Sequence, residues 1–190
     1  MAPSRRPSTE SPRPLTTVLR MLRAPFAVLL LFGCAGGDYP PLAVVDSVDV
    51  QRYLGTWYEI ARLPNSFQKD CACSTAEYSV IDESTLRVVN RCTERGADGG
   101  TDSATGKAFI VEGSNNAKLR VQFFWPFRGD YWIIELDEQY RWAVVGEPSR
   151  KYLWILARAS RMDDATYTML LERIRAKGFD TSRLIRSDCP

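Results

Sequence analysis

The chain of 190 residues carries 25 Lys and Arg against 23 Asp and Glu, too even a balance for binding nucleic acid through phosphate neutralisation. It contains no histidine, which removes the usual general base of serine and cysteine hydrolases and the commonest zinc ligand. With 45% hydrophobic residues, it can build one sizeable core behind a leader.

Residues 1–20 are rich in Pro, Ser and Arg and lack apolar periodicity. Met21-Leu-Arg23 then opens an apolar run from Phe26 to Phe32. A permanent membrane span needs about 20 residues, so this run reads as the core of a secretory signal, with Met21 as its more typical start. It ends in Leu31-Phe32-Gly33-Cys34, which resembles a bacterial lipobox, where the cysteine is acylated and becomes the first mature residue. Ala35 in the following position, rather than Asp, points to the outer membrane. The expected organisation is a signal region over 1–33, a lipid-anchored linker over 34–47 and one domain over 48–190.

Beyond Val50 the pattern is one of short strands broken by turns. Strands are predicted over Trp57–Leu63, Cys73–Ile81, Leu86–Cys92, Gly106–Val111, Lys118–Phe124, Asp130–Leu136, Trp142–Gly146 and Tyr152–Arg158. The Asp82-Glu83-Ser84 turn makes the second and third a hairpin. Eight strands at this spacing predict an all-β sandwich or barrel. One helix follows, opened by Met162-Asp163-Asp164, with Tyr167, Leu170, Leu171 and Ile174 at helical spacing and Gly178 at its C-terminal cap. Coming after every strand, it is expected to lay its apolar stripe on the outside of the sheet.

Three segments carry a family resemblance. Tyr53-Leu-Gly-Thr-Trp-Tyr-Glu-Ile60 resembles the first signature of the lipocalins. Leu136-Asp-Glu-Gln-Tyr140 looks like the family's turn between strands six and seven, and Tyr152-Leu-Trp-Ile-Leu-Ala-Arg158 like its eighth strand. The resemblance covers residues 48–190 and is closest to the family's bacterial lipoprotein branch. It implies an eight-stranded antiparallel up-and-down barrel holding one small ligand, with the C-terminal helix packed outside. In that pattern Trp57 crosses the closed end, Arg158 covers its ring and Gly55 lets the chain bend into the barrel. These three are structural residues.

Alternation assigns the ligand-facing rows. On the second strand Ala76 and Tyr78 oppose Thr75, Glu77 and Ser79, whose charge belongs in water. On the fifth, Leu119, Val121 and Phe123 alternate with Lys118, Arg120 and Gln122. On the eighth, Trp154 and Leu156 oppose Ile155 and Ala157. The sixth strand is ambiguous, because Trp132 and Ile134 are as apolar as their neighbours. There the family pattern selects Tyr131 and Ile133. Val88 and Asn90 on the third strand, with Ala108 and Ile110 on the fourth, complete the interior. Such an interior suits an acyl chain with its polar head near the mouth, where Arg128 reads either as a partner for a carboxylate or phosphate or, by the commoner rule, as a solvated loop charge. The aromatic run Phe123-Phe-Trp-Pro-Phe127 reads either as a lid, membrane-facing patch or dimer contact, or as inward packing.

With Cys34 acylated, Cys71, Cys73, Cys92 and Cys189 remain, an even number that reads as two disulfides with three connectivities. The resemblance implies one of them. Cys73 stands where a lipocalin pattern has a cysteine bound to the C-terminal tail, and Cys189-Pro190 matches that tail, leaving Cys71 for Cys92. The expected function is binding or transport of fatty acids or lysophospholipids by a protein lipid-anchored in the outer membrane. A homodimer is a further expectation; no cofactor, metal or nucleic acid is implied, and no catalysis. Two rival readings stand beside this one. One is an enzyme of the same fold with Cys92 as nucleophile, which would lack a histidine partner. The other is a structural lipoprotein whose barrel is filled.

Overall fold

The computed structural model describes residues 39–96 and 100–189. The expected signal region, Cys34 and the tail residue Pro190 lie outside that range. Each alternating run becomes a strand: β1 (Gly55–Arg62), β2 (Cys71–Asp82), β3 (Thr85–Glu94), β4 (Thr101–Ile110), β5 (Lys118–Gln122), β6 (Gly129–Leu136), β7 (Trp142–Gly146) and β8 (Leu153–Ala157). They pair antiparallel in chain order, and β1 hydrogen-bonds both β8 and β2, so the sheet closes into a barrel. Closure removes the unpaired edges that an open sheet would expose. A short helix α1 (Val50–Tyr53) precedes β1, while α2 (Asp164–Ala176) and β9 (Ile185–Arg186) follow β8.

What lies outside each strand explains its sequence. β2, β3 and β5 face water outwardly and alternate apolar with polar along most of their length. β6, β7 and β8 are apolar on both faces because α2 covers their outer side. Ile133, Ala143, Val145 and Leu156 point into the barrel cluster, whereas Ile134, Val144, Ile155 and Ala157 pack with Leu170 and Ile174 of α2. The helix begins where the sequence places it, since Asp163 accepts a hydrogen bond from Thr166 N at 2.8 Å.

Several boundaries differ from the sequence reading. β4 begins at Thr101 rather than Gly106; its first five residues are polar or small and exposed on both faces, so they pair with β3 without an apolar signal. β5 ends at Gln122, and Phe123 and Phe124 belong to the following turn. Neither α1 nor β9 is long enough to carry a periodicity. Packing also starts ahead of residue 48. Leu42 is buried against the outer cluster, and Val45 N donates to Ile133 O at 3.1 Å.

The C-terminal tail completes the wall where β1 parts from β2. β1 pairs with β2 only over Gly55–Tyr58, and β9 takes the vacated side at Ala61 and Arg62. Ser187 N then donates to Ile60 O (3.0 Å) and Asp188 N to Ala72 O (2.8 Å), bridging the two strands. A disulfide from Cys189 to Cys73, 116 residues apart, fixes the tail, while Cys71 is bonded to Cys92 at a separation of 21.

A cross-link that closes a longer loop removes more freedom from the unfolded chain. Cys73→Ser/Cys189→Ser is therefore expected to lower the unfolding free energy by about 2–4 kcal/mol, and Cys71→Ser/Cys92→Ser by less. Urea denaturation of the two double variants beside wild type measures the order.

Candidate ligand-binding interior

The closed end is built first by local chemistry. Asp49 caps α1, its carboxylate accepting from Gln51 N (2.9 Å) and Arg52 N (3.3 Å). This turn drives Tyr53 into the barrel, where its carbonyl accepts from Trp57 Nε1 at 2.9 Å. Gly55 links helix to strand at φ +86°, a left-handed conformation that a side chain would strain. Trp57 is fully buried, and the Arg158 guanidinium lies 3.8 Å from its ring centroid. Arg158 also donates to Thr56 O (2.9 Å) and Arg52 O (2.7 Å), tying α1, β1 and β8 together. The floor is thus sealed by one aromatic ring and one satisfied cation.

Above Trp57, three tyrosines meet. Tyr78 donates to Tyr131 Oη at 2.9 Å, and the hydroxyls of Tyr53 and Tyr131 lie 2.8 Å apart. Two bonds engage two of the three hydroxyl protons, leaving one O–H for a further acceptor. Burial pushes the Tyr78 phenol up to about 12 and holds Tyr53 and Tyr131 well above the ordinary range. The three therefore stay neutral donors throughout the physiological range.

The structure gathers all twelve apolar residues assigned to the ligand-facing rows into one interior cluster. Tyr78, Val88, Ala108, Leu119, Tyr131, Ile133 and Leu156 are buried in it. Ala76, Ile110, Val121, Phe123 and Trp154 belong to it but remain partly accessible. Asn90, also partly accessible, sits opposite Ala76 in the β2–β3 register. Val121, Phe123 and Trp154, beside the β5–β6 and β7–β8 loops, are only partly buried, as are Ala76, which is paired with Trp57, and Ile110 beside the β4–β5 turn. Gly106 faces Phe123. A Cβ there would lie 2.7 Å from Gln122 O and 2.9 Å from the Phe123 ring, so only glycine lets that ring fold over β4.

Several interior residues escaped the sequence reading. Tyr53 and Tyr140 stand outside any strand, on a four-residue helix and a turn at positive φ. Leu86, Ala143 and Val145 lay within predicted strands, and extending each alternation would have found them. A polar cluster was also missed. A bulge between Glu59 and Ala61 shifts the alternation of β1, and Glu59 and Arg62 are buried as an ion pair at 2.6 Å. Gln68 Nε2 (2.8 Å) and Ser187 Oγ (2.6 Å) donate to the same carboxylate, and Arg62 donates to the carbonyls of Gln68 and Cys71. A second bulge, between Ile133 and Glu135, is why β6 resisted assignment by simple alternation.

At the rim, Arg128 is exposed and its guanidinium lies 4.1 Å over the ring of Phe109 on the outer wall. The aromatic run divides: Phe123 packs inward, while Phe124, Trp125 and Phe127 are exposed. Cys92, the candidate nucleophile, is held in its disulfide and offers no thiol. A cleft of ≈ 290 Å³ is lined by Ile81, Arg87, Gly106, Lys107 and Phe123, and another of ≈ 190 Å³ lies beside Arg161 and Arg186.

Comparisons with known proteins agree with this architecture. A family model described as a lipocalin-like domain matches residues 48–188. Outer membrane lipoprotein Blc of Vibrio cholerae is 40% identical over 168 residues, covering 86% of this chain and 97% of that protein. The protein of the same name from Escherichia coli is 38% identical, covering 88% and 95%. Mouse apolipoprotein D is 32% identical, covering 81% and 85%. Among solved structures, insecticyanin of the tobacco hornworm superposes with a TM-score of 0.65 at 20% identity, over 81% of this chain and 87% of that one.

Arg158→Ala removes two backbone hydrogen bonds and the cation over Trp57, and is expected to cost about 2–4 kcal/mol in chemical denaturation. The tyrosine cluster predicts the alkaline limit. A phenol whose folded pKa is raised contributes stability that is complete below its unfolded value near 10 and is lost as pH climbs towards about 12. Melting temperature should therefore fall from pH 10 upward, and Tyr78→Phe should flatten that fall.

Proposed function

The chain belongs to the lipocalin family, and from that premise we propose that it binds one elongated apolar ligand, a fatty acid or lysophospholipid, in the upper interior of the barrel. The observation that carries this reading is the contrast within a single inward surface. Tyr53, Trp57, Tyr78 and Ile133 are buried, while Val121, Phe123 and Trp154, nearest the β5–β6 and β7–β8 loops, keep partial accessibility. An acyl chain entering from above would cover Val121, Phe123 and Trp154. Asn90 and the remaining tyrosine O–H supply hydrogen bonds to whatever polar groups the ligand brings. Each buried methylene contributes about 0.8 kcal/mol, so about ten would supply roughly 8 kcal/mol before ordering costs, which sets micromolar affinity as the natural scale.

In this reading the protein is a carrier rather than an enzyme and works at the envelope, held to the outer membrane on its periplasmic side through acylated Cys34. The relatives named outer membrane lipoprotein support that placement. So does the Leu31–Cys34 segment.

Native mass spectrometry of the purified protein should find bound lipid, and a fluorescent fatty acid should be displaced by unlabelled fatty acid or lysophospholipid. Val121→Trp, which fills the space above the floor, should weaken that binding at least about tenfold while leaving the tyrosine floor in place. No co-purifying lipid together with no displacement would refute the carrier reading in favour of a filled, structural barrel.

A further inference from the structure

The strands run alternately up and down, so the loops after β1, β3, β5 and β7 share the end away from Trp57. That end is unusually apolar. Phe124 (76% exposed), Trp125 (86%) and Phe127 (76%) project from the β5–β6 turn, Phe67 (65%) from the β1–β2 loop and Tyr152 (37%) from the β7–β8 loop. Among the described residues, the other large exposed apolar side chains are Tyr39, Val80 and Ile81, and only the last two lie at the opposite end. The rim is ordered by its own contacts. Phe127 N donates to Phe124 O at 2.9 Å. Phe67 packs 5.9 Å from Tyr152, which stacks 6.1 Å from Trp154. Arg128 and Lys151 stand exposed beside these rings.

The course of the chain adds an independent observation. Arg150, in the β7–β8 loop, donates to Pro40 O at 2.8 Å and lies 5.8 Å from the Tyr39 ring. The chain therefore passes Tyr39 at the open end. Cys34 is five residues upstream, a tether of at most about 18 Å.

We propose that the aromatic rim docks on a phospholipid bilayer, with the barrel mouth facing the membrane. Aromatic rings at a membrane surface prefer the boundary between head groups and acyl chains, with basic residues reaching the phosphates. Multiple acyl chains on Cys34 would hold the protein firmly, so contact by the rim would orient the barrel rather than retain it. A tether leaving from the open end favours that end against the membrane. Resting on the carrier reading, docking lets an acyl ligand pass from bilayer to barrel without crossing water.

The test uses the full, acylated protein in phosphatidylethanolamine–phosphatidylglycerol vesicles whose acyl chains are brominated. Bromine should quench a component of tryptophan emission that Trp125→Phe abolishes, and iodide in the water should lose access to that component. Equal iodide quenching with and without vesicles, and no bromolipid effect, would overturn the proposal. So would a concentration-dependent dimer that shields Trp125 from iodide before any vesicle is added. Phe124→Ser/Trp125→Ser/Phe127→Ser changes only exposed positions. It should slow delivery of a fluorescent fatty acid from vesicles about tenfold, with its affinity for the same fatty acid in solution unchanged. An unslowed transfer also counts against docking. Should the wild type bind no fatty acid at all, the quenching measurement still decides where the rim sits.

Discussion

A strand with two neighbours at once is the constraint on which this molecule rests. β1 must pair with β8 through one set of backbone groups and with β2 through the other, although β8 lies nearly a hundred residues downstream. Without that closure the inward rows would form one face of an open sheet, and its two end strands would present unpaired amides. With it, a continuous apolar surface is enclosed, and Trp57 stands at the joint. The floor and the joint are the same structure. Arg158, from the end of β8, donates to carbonyls in α1 and β1 while covering the indole.

The interior is graded rather than uniform. At the bottom, rings and hydroxyls satisfy one another and the packing is complete. Towards the loops after β5 and β7, Val121, Phe123 and Trp154 are only partly buried. A closed hydrogen-bonded cylinder can leave them so without collapsing, because its circumference is fixed by strand number and tilt rather than by what fills it. The outer layer supports the arrangement. α2 and the tail press on β6, β7, β8 and β1 from outside, stiffening the part of the wall that receives least from alternation.

How much of this was legible depended on what stood on the far side of each strand. β2 and β5 could be read residue by residue, since Glu77, Lys118 and Arg120 declare the wet face. β6 could not, because α2 makes its outer face as dry as its inner one and a bulge shifts the period midway. Family resemblance, rather than periodicity, decided Tyr131 and Ile133. The buried Glu59–Arg62 pair ran against every rule of alternation, for a charged residue normally marks the outside. Only the bulge in β1 and the partners supplied by Gln68 and Ser187 explain it. The third tyrosine was hidden in a helix of four residues, too short to leave a pattern. The polar first half of β4 gave no apolar signal at all.

The two disulfides differ in what they need before they can form. Cys71 and Cys92 sit on strands joined by a two-residue turn, so a hairpin alone brings them together. Cys73 and Cys189 lie far apart in the chain and meet, in the folded barrel, where the tail fills the gap between β1 and β2. Contacts this distant in sequence cost more loop-closure entropy before they are rewarded. The first bond therefore locks only a hairpin, whereas the second locks the end of the chain into the wall that closes the barrel. The β-bulge between Cys71 and Cys73 stands between the local link and the distant one.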